Sequence, residues 1–354
     1  MATKNYNVIG VMSGTSLDGI DIALLTITSS PTFGYKIQKA KTVAYPDHWV
    51  QKLKKAVDYT SEILKSLNEK YTDFLAETIN TFIKDHNIER EHLSAICSHG
   101  HTILHKPDQG ITLQIGNLPK IATLTQCKVV CDFRVQDVAL GGQGAPLVPI
   151  GDQLLFPAYG YCINLGGFAN ISFQNKHKRI AYDICPVNIV LNTYAQRLEK
   201  PYDEFGNLAK AGKVNEVIFN ELNALSFYDQ DAPKSLGLEW VQEYIFPILE
   251  KSQLSTIDVL ATFTEHIAYQ IASQCESGSS VLITGGGAYN HFLLERIRFR
   301  ESVRITVPDP ELLEFKEALI FGLLGVLRLE HKANTLASVT GALYDHSAGE
   351  IYLP

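Results

Sequence analysis

The chain has 354 residues, is 45% hydrophobic and carries a formal net charge of −7. That length favours two domains over one, with enough apolar side chains for sizeable cores. The negative balance excludes a general affinity for nucleic acid or anionic membrane, although local basic pockets remain compatible with it.

No apolar run approaches the ~18 residues that a membrane span needs, and the opening "MATKNYNVIGVMSG" has no apolar core with a cleavage site. Cys97, Cys127, Cys131, Cys162, Cys185 and Cys275 form no C-x-x-C pair and sit mostly in apolar stretches. We expect free, buried thiols and a cytoplasmic protein.

In chain order, β-branched runs predict strands at "YNVIGVM", "IDIALLTI", "LSAICSHG", "ITLQIG", "KVVCDF", "YCINLGG", "ISFQ", "RIAYDI" and "SVLITGG". Helical spacing appears in "DHWVQKLKKAVD", "EILKSLNEKYTDFLAETINTFIKDHN", "NIVLNTYAQRLE", "IDVLATFTEHIAYQIASQ" and "EALIFGLLGVLRLEHK". The mixture predicts an α/β protein. "YNVIGVMSGTSLDGIDIALL" and "YCINLGGFANISF" echo each other as strand, glycine turn, strand. This suggests two related lobes, 1–136 and 137–341, with the tail 342–354 able to return to the first. The glycine-rich "LGGQGAPLVP" at 140–149 is the expected linker.

Three glycine turns carry the chemistry. The first, from Gly10 to Asp21, is longer than chain reversal requires. Gly14 and Gly19 would let backbone N–H groups approach an anion, and Ser13, Thr15 and Ser16 add hydroxyl donors. Asp18 faces a phosphate only with a cation between them, which suggests Mg²⁺ held through water. The same composition also suits a hairpin loop capped by its own side chains. The second turn is Asn164-Leu165-Gly166-Gly167, and the third is Gly285-Gly286-Gly287 before a helix-like "NHFLLERI". Neither a P-loop nor a dinucleotide fingerprint is present.

The blocks "GVMSGTSLDGIDIAL", "SHGHTILHKP", "TLQIGNLPKIA", "VVCDFRVQDVALGGQGAPLVP", "NLGGFANIS", "TGGGAYN", "KEALIFGLLG" and "SVTGA" resemble the anhydro-N-acetylmuramic acid kinases, in that family's order, from residue 9 to 342. The resemblance implies a two-lobed actin-like (ribonuclease H-like) ATPase fold with a nucleotide cleft between lobes. It implies ATP and Mg²⁺ as cofactors, an amino-sugar substrate, no nucleic-acid or membrane partner, and a homodimer at most. By it, Gly14, Thr15, Ser16, Asp18, Gly19 and Asp21 match the ATP motif. Asn164, Gly166 and Gly167 would form a second phosphate turn, and Gly285, Gly286 and Gly287 an adenosine-side turn. The family reaction hydrolyses the 1,6-anhydro bridge of the sugar and phosphorylates the released O6, within peptidoglycan recycling.

The resemblance makes Asp183, in "AYDICPVN", the base for the attacking water. Its other reading is a strand-end cap for a helix starting near Pro186. Glu317 matches a glutamate near the sugar or water, and otherwise reads as a first-turn helix glutamate. Arg134 suits the lactyl carboxylate of the sugar, or an internal pair with an aspartate such as Asp132. His99, His101 and His105 suggest a metal by alternation, but no acidic or thiol ligand is near. The family uses this segment as a wall near the sugar.

The pattern departs at four positions. Cys185 and Val187 replace glycines beside Asp183, and Leu236 and Leu238 replace a hydroxyl residue and an arginine. Asp152 stands where histidine is usual, and His101 where glutamine is usual. These changes raise three alternatives: a kinase of this fold for another sugar, a nucleotide-binding scaffold, or a glycoside hydrolase using Asp183 and Glu317.

Overall fold

The predicted strands form two separate sheets in the computed structural model, which describes residues 3–29 and 32–354. The strands are β1 (Lys4–Ser13), β2 (Ile20–Ser29), β3 (Gly34–Val43), β4 (Ala95–Lys106), β5 (Ile111–Ile115), β6 (Val129–Cys131), β7 (Tyr161–Leu165), β8 (Phe168–Asn175), β9 (Lys178–Pro186), β10 (Ser280–Thr284), β11 (Arg304–Thr306) and β12 (Glu350–Tyr352). One sheet runs β12-β6-β4-β1-β2-β3, with β5 paired to β4, and the other runs β11-β10-β7-β8-β9. In the first, β1, β2 and β3 form an antiparallel meander, and β4 and β6 follow in parallel. In the second, β7, β8 and β9 repeat the meander, and β10 and β11 repeat the parallel pair. The echo in the sequence is therefore a repeated strand order. It is the order of the two-lobed actin-like, ribonuclease H-like fold.

The chain forms two compact units, Met1–Leu155 with Phe315–Pro354, and Phe156–Glu314. In the first, the helix Ser61–Asp85 buries Leu64, Leu67, Tyr71, Leu75, Ile79 and Phe82 at helical spacing. They pack with Ile9, Val11, Ile20 and Ile22 of the sheet. The helix Pro310–Leu329 packs on the same unit through missing side chains. A Cβ on Gly10 would fall 2.0 Å from the Ala318 carbonyl oxygen, and one on Gly325 would fall 2.1 Å from Cys97 Sγ. In the second unit, the helix Thr256–Ala272 is buried on nearly all sides, as its scarcity of polar residues requires. Ile163, Leu165, Ile171, Ile184, Phe263 and Ile267 build its core. All six cysteines are free and buried, and no helix among the described residues is long and apolar enough to cross a membrane.

Two boundaries differ from the sequence reading. The division falls after Leu155 rather than 136, and the return begins at Phe315 rather than 342. The segment 140–149 is not a linker but part of the first unit. Buried Asp137 accepts the Gly144 N–H at 2.6 Å and the Thr340 hydroxyl at 2.7 Å, and the Gln143 N–H donates to the Thr340 carbonyl at 2.8 Å. Its glycines serve tight turns around a buried carboxylate. The strand β3 also escaped the pattern reading. It is an edge strand whose exposed Lys36, Lys39 and Lys41 mask its β-branched positions.

Candidate active site

The first glycine turn joins β1 to β2 as expected, with Ser13 opposite Ile20. Thr15, Ser16 and Asp18 are exposed, and Gly19 is held close to the Val43 carbonyl, where a Cβ would lie 2.7 Å from its oxygen. The turn is not capped by its own hydroxyls. Its one internal backbone bond is Leu17 N–H to the Gly14 carbonyl at 3.3 Å, and no hydrogen bond of the Thr15, Ser16 or Asp18 side chains is present among the described residues. Asp21 accepts the Thr42 hydroxyl at 2.6 Å.

At the root of this turn Ser13 is buried. Its hydroxyl is 2.7 Å from His101 Nδ1 and 2.6 Å from the Tyr45 hydroxyl, which bonds in turn to Tyr71. Burial pushes the His101 pKa down to about 4. His105 is engaged with the Thr112 hydroxyl at 3.1 Å. The three histidines do not converge, and no three His, Cys, Asp or Glu among the described residues come together to hold a metal.

His99, Arg134 and Glu317 form one constellation. Arg134 Nε–H donates to His99 Nε2 at 2.9 Å, so the ring carries its proton on Nδ1, which donates to the Gly100 carbonyl at 2.9 Å. Arg134 Nη1 donates to the Gly144 carbonyl at 2.7 Å. Burial and the neighbouring guanidinium hold the His99 pKa well below its ordinary value, so the ring is neutral. Arg134 does not pair with Asp132, whose Oδ1 accepts from Asn117 at 2.9 Å. Burial draws the Arg134 pKa down to about 10 against the charges of Glu317 and Asp137.

Glu317 is not in a first helical turn. The helix starts at Pro310, so Glu317 lies too far along for dipole complementation. Its side chain reaches solvent, yet surrounding protein atoms raise its pKa by desolvation, with Arg134 opposing and Asp21 reinforcing. The preceding residue, buried Lys316, pairs with buried Asp152 at 2.7 Å. The departure from histidine at 152 is thus the anion of an ion pair beside Glu317. Composition could flag Asp152, but only the fold reveals its partner.

In the second unit the other two glycine turns lie together. A Cβ on Gly285 would fall 2.6 Å from Asn164 Oδ1, and one on Gly287 would fall 2.7 Å from Leu165 Cβ. Gly285 has φ 82° and ψ 165°, a conformation essentially reserved for glycine. The Gly167 carbonyl accepts the Val187 N–H at 2.7 Å and the Ile189 N–H at 3.3 Å, locking the second turn to the start of the helix Asn188–Gln196. Gly167 and Gly286 present open backbone. A cavity of about 500 Å³ borders the third turn, lined in part by Asn188, Tyr202, Phe205, Gly286, Gly287 and Tyr289. The sequence reading missed Tyr202, Phe205 and Tyr289, because isolated aromatics in a loop carry no periodic signal.

Asp183 stands within β9 and caps no helix. The Asn188–Gln196 helix has Val187 at its N-terminal boundary and no side-chain cap. Asn170 pairs with Asp183 and Ala169 with Cys185, so Ile184 is an extra residue and a β-bulge adjoins the aspartate. Bulges re-aim side chains out of the regular pleat. Asp183 Oδ2 accepts the Leu236 N–H at 2.9 Å, and its own N–H donates to the Lys234 carbonyl at 3.1 Å. No other hydrogen bond of its carboxylate is present among the described residues. Burial raises its pKa, opposed by the Leu236 N–H. Cys185 and Val187 are fully buried in the core and neither has positive φ. They are packing residues here, and burial raises the Cys185 thiol pKa far from reactivity.

Comparison with known proteins agrees with this arrangement. The family model described as anhydro-N-acetylmuramic acid kinase matches residues 6–354. A protein of Pseudomonas syringae pv. syringae bearing that name is 32% identical, over 97% of this chain and 98% of its own. One from Pseudomonas fluorescens is 35% identical over the same shares, and one from Bacillus cereus is 32% identical over 98% and 99%. The chain belongs to the anhydro-N-acetylmuramic acid kinase family and is an ATP-dependent sugar kinase.

Proposed function

We propose that this chain opens 1,6-anhydro-N-acetylmuramic acid with water and transfers the γ-phosphoryl group of ATP to the released O6. The product is N-acetylmuramic acid 6-phosphate, formed in peptidoglycan recycling. The observation that carries this reading is Asp183: a rigidly held, partly buried carboxylate at a bulge, with one oxygen fixed by a backbone N–H and no helix to cap.

Asp183 takes a proton from water. The water oxygen forms its bond to C1 while the C1–O6 bond breaks. The electron pair passes to O6, which bonds phosphorus as ADP leaves. The raised pKa of Asp183 suits a base, since a more basic carboxylate accepts a proton more readily once ionised. Glu317 orients the sugar or the attacking water. Arg134, with two donors committed to His99 and Gly144, keeps Nη2 for the lactyl carboxylate, and the neutral His99 ring aims it.

The nucleotide is held by Gly14, Thr15, Ser16, Asp18, Gly19 and Asp21, by Asn164, Gly166 and Gly167, and on the adenosine side by Gly285, Gly286 and Gly287. The open backbone at Gly167 and Gly286 and the exposed hydroxyls of Thr15 and Ser16 fit phosphate, and the aromatic-lined cavity fits a purine. Asp18, exposed and without a side-chain bond among the described residues, fits a water-mediated Mg²⁺, which when bound neutralises phosphate charge.

The family substrate is favoured over another sugar by the surroundings of the altered positions. Cys185 and Val187 point into the core, and Leu236 serves Asp183 through its backbone. The test is incubation with Mg²⁺, ATP and the anhydro sugar in ¹⁸O-labelled water. A 6-phosphorylated product with label at C1 is expected. Bound ATP without that product would overturn the substrate assignment.

A further inference from the structure

Asp183 does not stand on its strand alone. Its N–H and its Oδ2 bond respectively to the Lys234 carbonyl and the Leu236 N–H, both in the irregular segment 230–237. A segment without helix or sheet needs another anchor if it is to present a backbone N–H at a fixed place. Lys234 reaches back across it. Its ammonium donates to the carbonyls of Phe227 at 3.2 Å and Tyr228 at 3.4 Å. It also lies 4.9 Å from the Phe227 ring centroid and 5.7 Å from that of Tyr182, the neighbour of Asp183 on β9. Phe227, Tyr228 and Trp240 pack against one another at 5.3–6.0 Å and give this cation a stiff floor.

We propose that Lys234 is a positioning residue for the reaction: its ammonium anchors segment 230–237 so that the Leu236 N–H fixes the ionised carboxylate of Asp183. This rests on the reading of Asp183 as the base. An N–H aimed at a carboxylate favours its charged form. The bond therefore sets both where the base points and how low in pH it stays ionised. The other titratable groups around the pair are Cys185 and Tyr182 on β9, Tyr228 under the ammonium, and Asp229 and Asp231, whose charges support the ammonium against burial. Arginine can reach the same carbonyls and rings, whereas methionine keeps the stem and loses every donor.

The experiment compares wild type, Lys234→Met, Lys234→Arg and Asp183→Asn. Hydrogen exchange is followed at the Leu236 amide, and kcat/KM for the sugar is followed against pH. Lys234→Met is expected to speed Leu236 exchange at least ~10-fold. It should also move the acid limb of the profile upward by about one pH unit, the order expected for losing one N–H bond to a carboxylate. Lys234→Arg should restore most of both. Wild-type exchange in Lys234→Met, or faster exchange with an unmoved acid limb, would overturn the proposal. Should Lys234→Met not fold, Lys234→Arg decides: lost Leu236 protection with an intact melting transition counts against the anchor. Full activity in Asp183→Asn would sink the base reading, while the exchange data still judge the anchor by itself.

Discussion

Replacing Asp183 with asparagine separates chemistry from architecture at this site. The amide oxygen can still accept the Leu236 N–H that now reaches Oδ2 at 2.9 Å, and the backbone bond to Lys234 is untouched. What disappears is a group able to hold a proton from water. A positioned base contributes ~10²–10⁴-fold, or about 2.7–5.5 kcal/mol of barrier, and that is the expected loss in kcat. The sign of the stability change is opposite. Burial raises the folded-state pKa of Asp183, so its favourable contribution is complete below the unfolded pKa and is lost as pH rises through the folded one. At neutral pH the ionised group opposes folding, and Asp183→Asn should melt at the same temperature as wild type or higher. The assay is single-turnover ADP release with ¹⁸O incorporation at C1, alongside thermal unfolding and nucleotide titration. ATP affinity should be unchanged, because the glycine turns keep their backbone. A variant within threefold of wild-type kcat, or one that melts early, would refute the reasoning.

Gly285→Ala forces a Cβ to within 2.6 Å of Asn164 Oδ1 at φ 82° and should cost at least ~1–3 kcal/mol, with weakened nucleotide binding. Thermal melting and ATP titration read both, and an unchanged melt would show the turn to be pliable. Lys316→Met removes the cation 2.7 Å from buried Asp152 and should destabilise by about 3–5 kcal/mol in urea titration. Pairing it with Asp152→Leu should recover most of that loss, and strict additivity of the two changes would contradict the pairing. His101, with its pKa near 4, stays neutral when folded but protonates near its ordinary value when unfolded. Stability should therefore fall as pH drops from about 6.5 to 4, by about 3 kcal/mol from this residue. His101→Gln should flatten that part of the stability–pH curve, and a curve parallel to wild type would rule the contribution out.

The sequence by itself determined the elements whose signal is local. Both hairpins, the long amphipathic helix and the three glycine turns were legible because alternation, helical spacing and glycine at strand ends act over a few residues. The opening motif with "GGQGAPLVP" was specific enough to identify the family, with Asp183, Glu317 and Arg134 as site residues. Tertiary structure decided everything that depends on residues far apart. Asp137 meets Thr340 across more than two hundred positions, so a glycine-rich stretch that reads as a linker becomes a fixed part of one unit. Asp152 finds Lys316, and Leu236 finds Asp183, in the same way. The same residue types suit a helix cap, a surface charge or a catalytic group. Which of these each becomes is set by the desolvation and the hydrogen-bond partners that folding imposes, and neither is encoded in neighbouring positions.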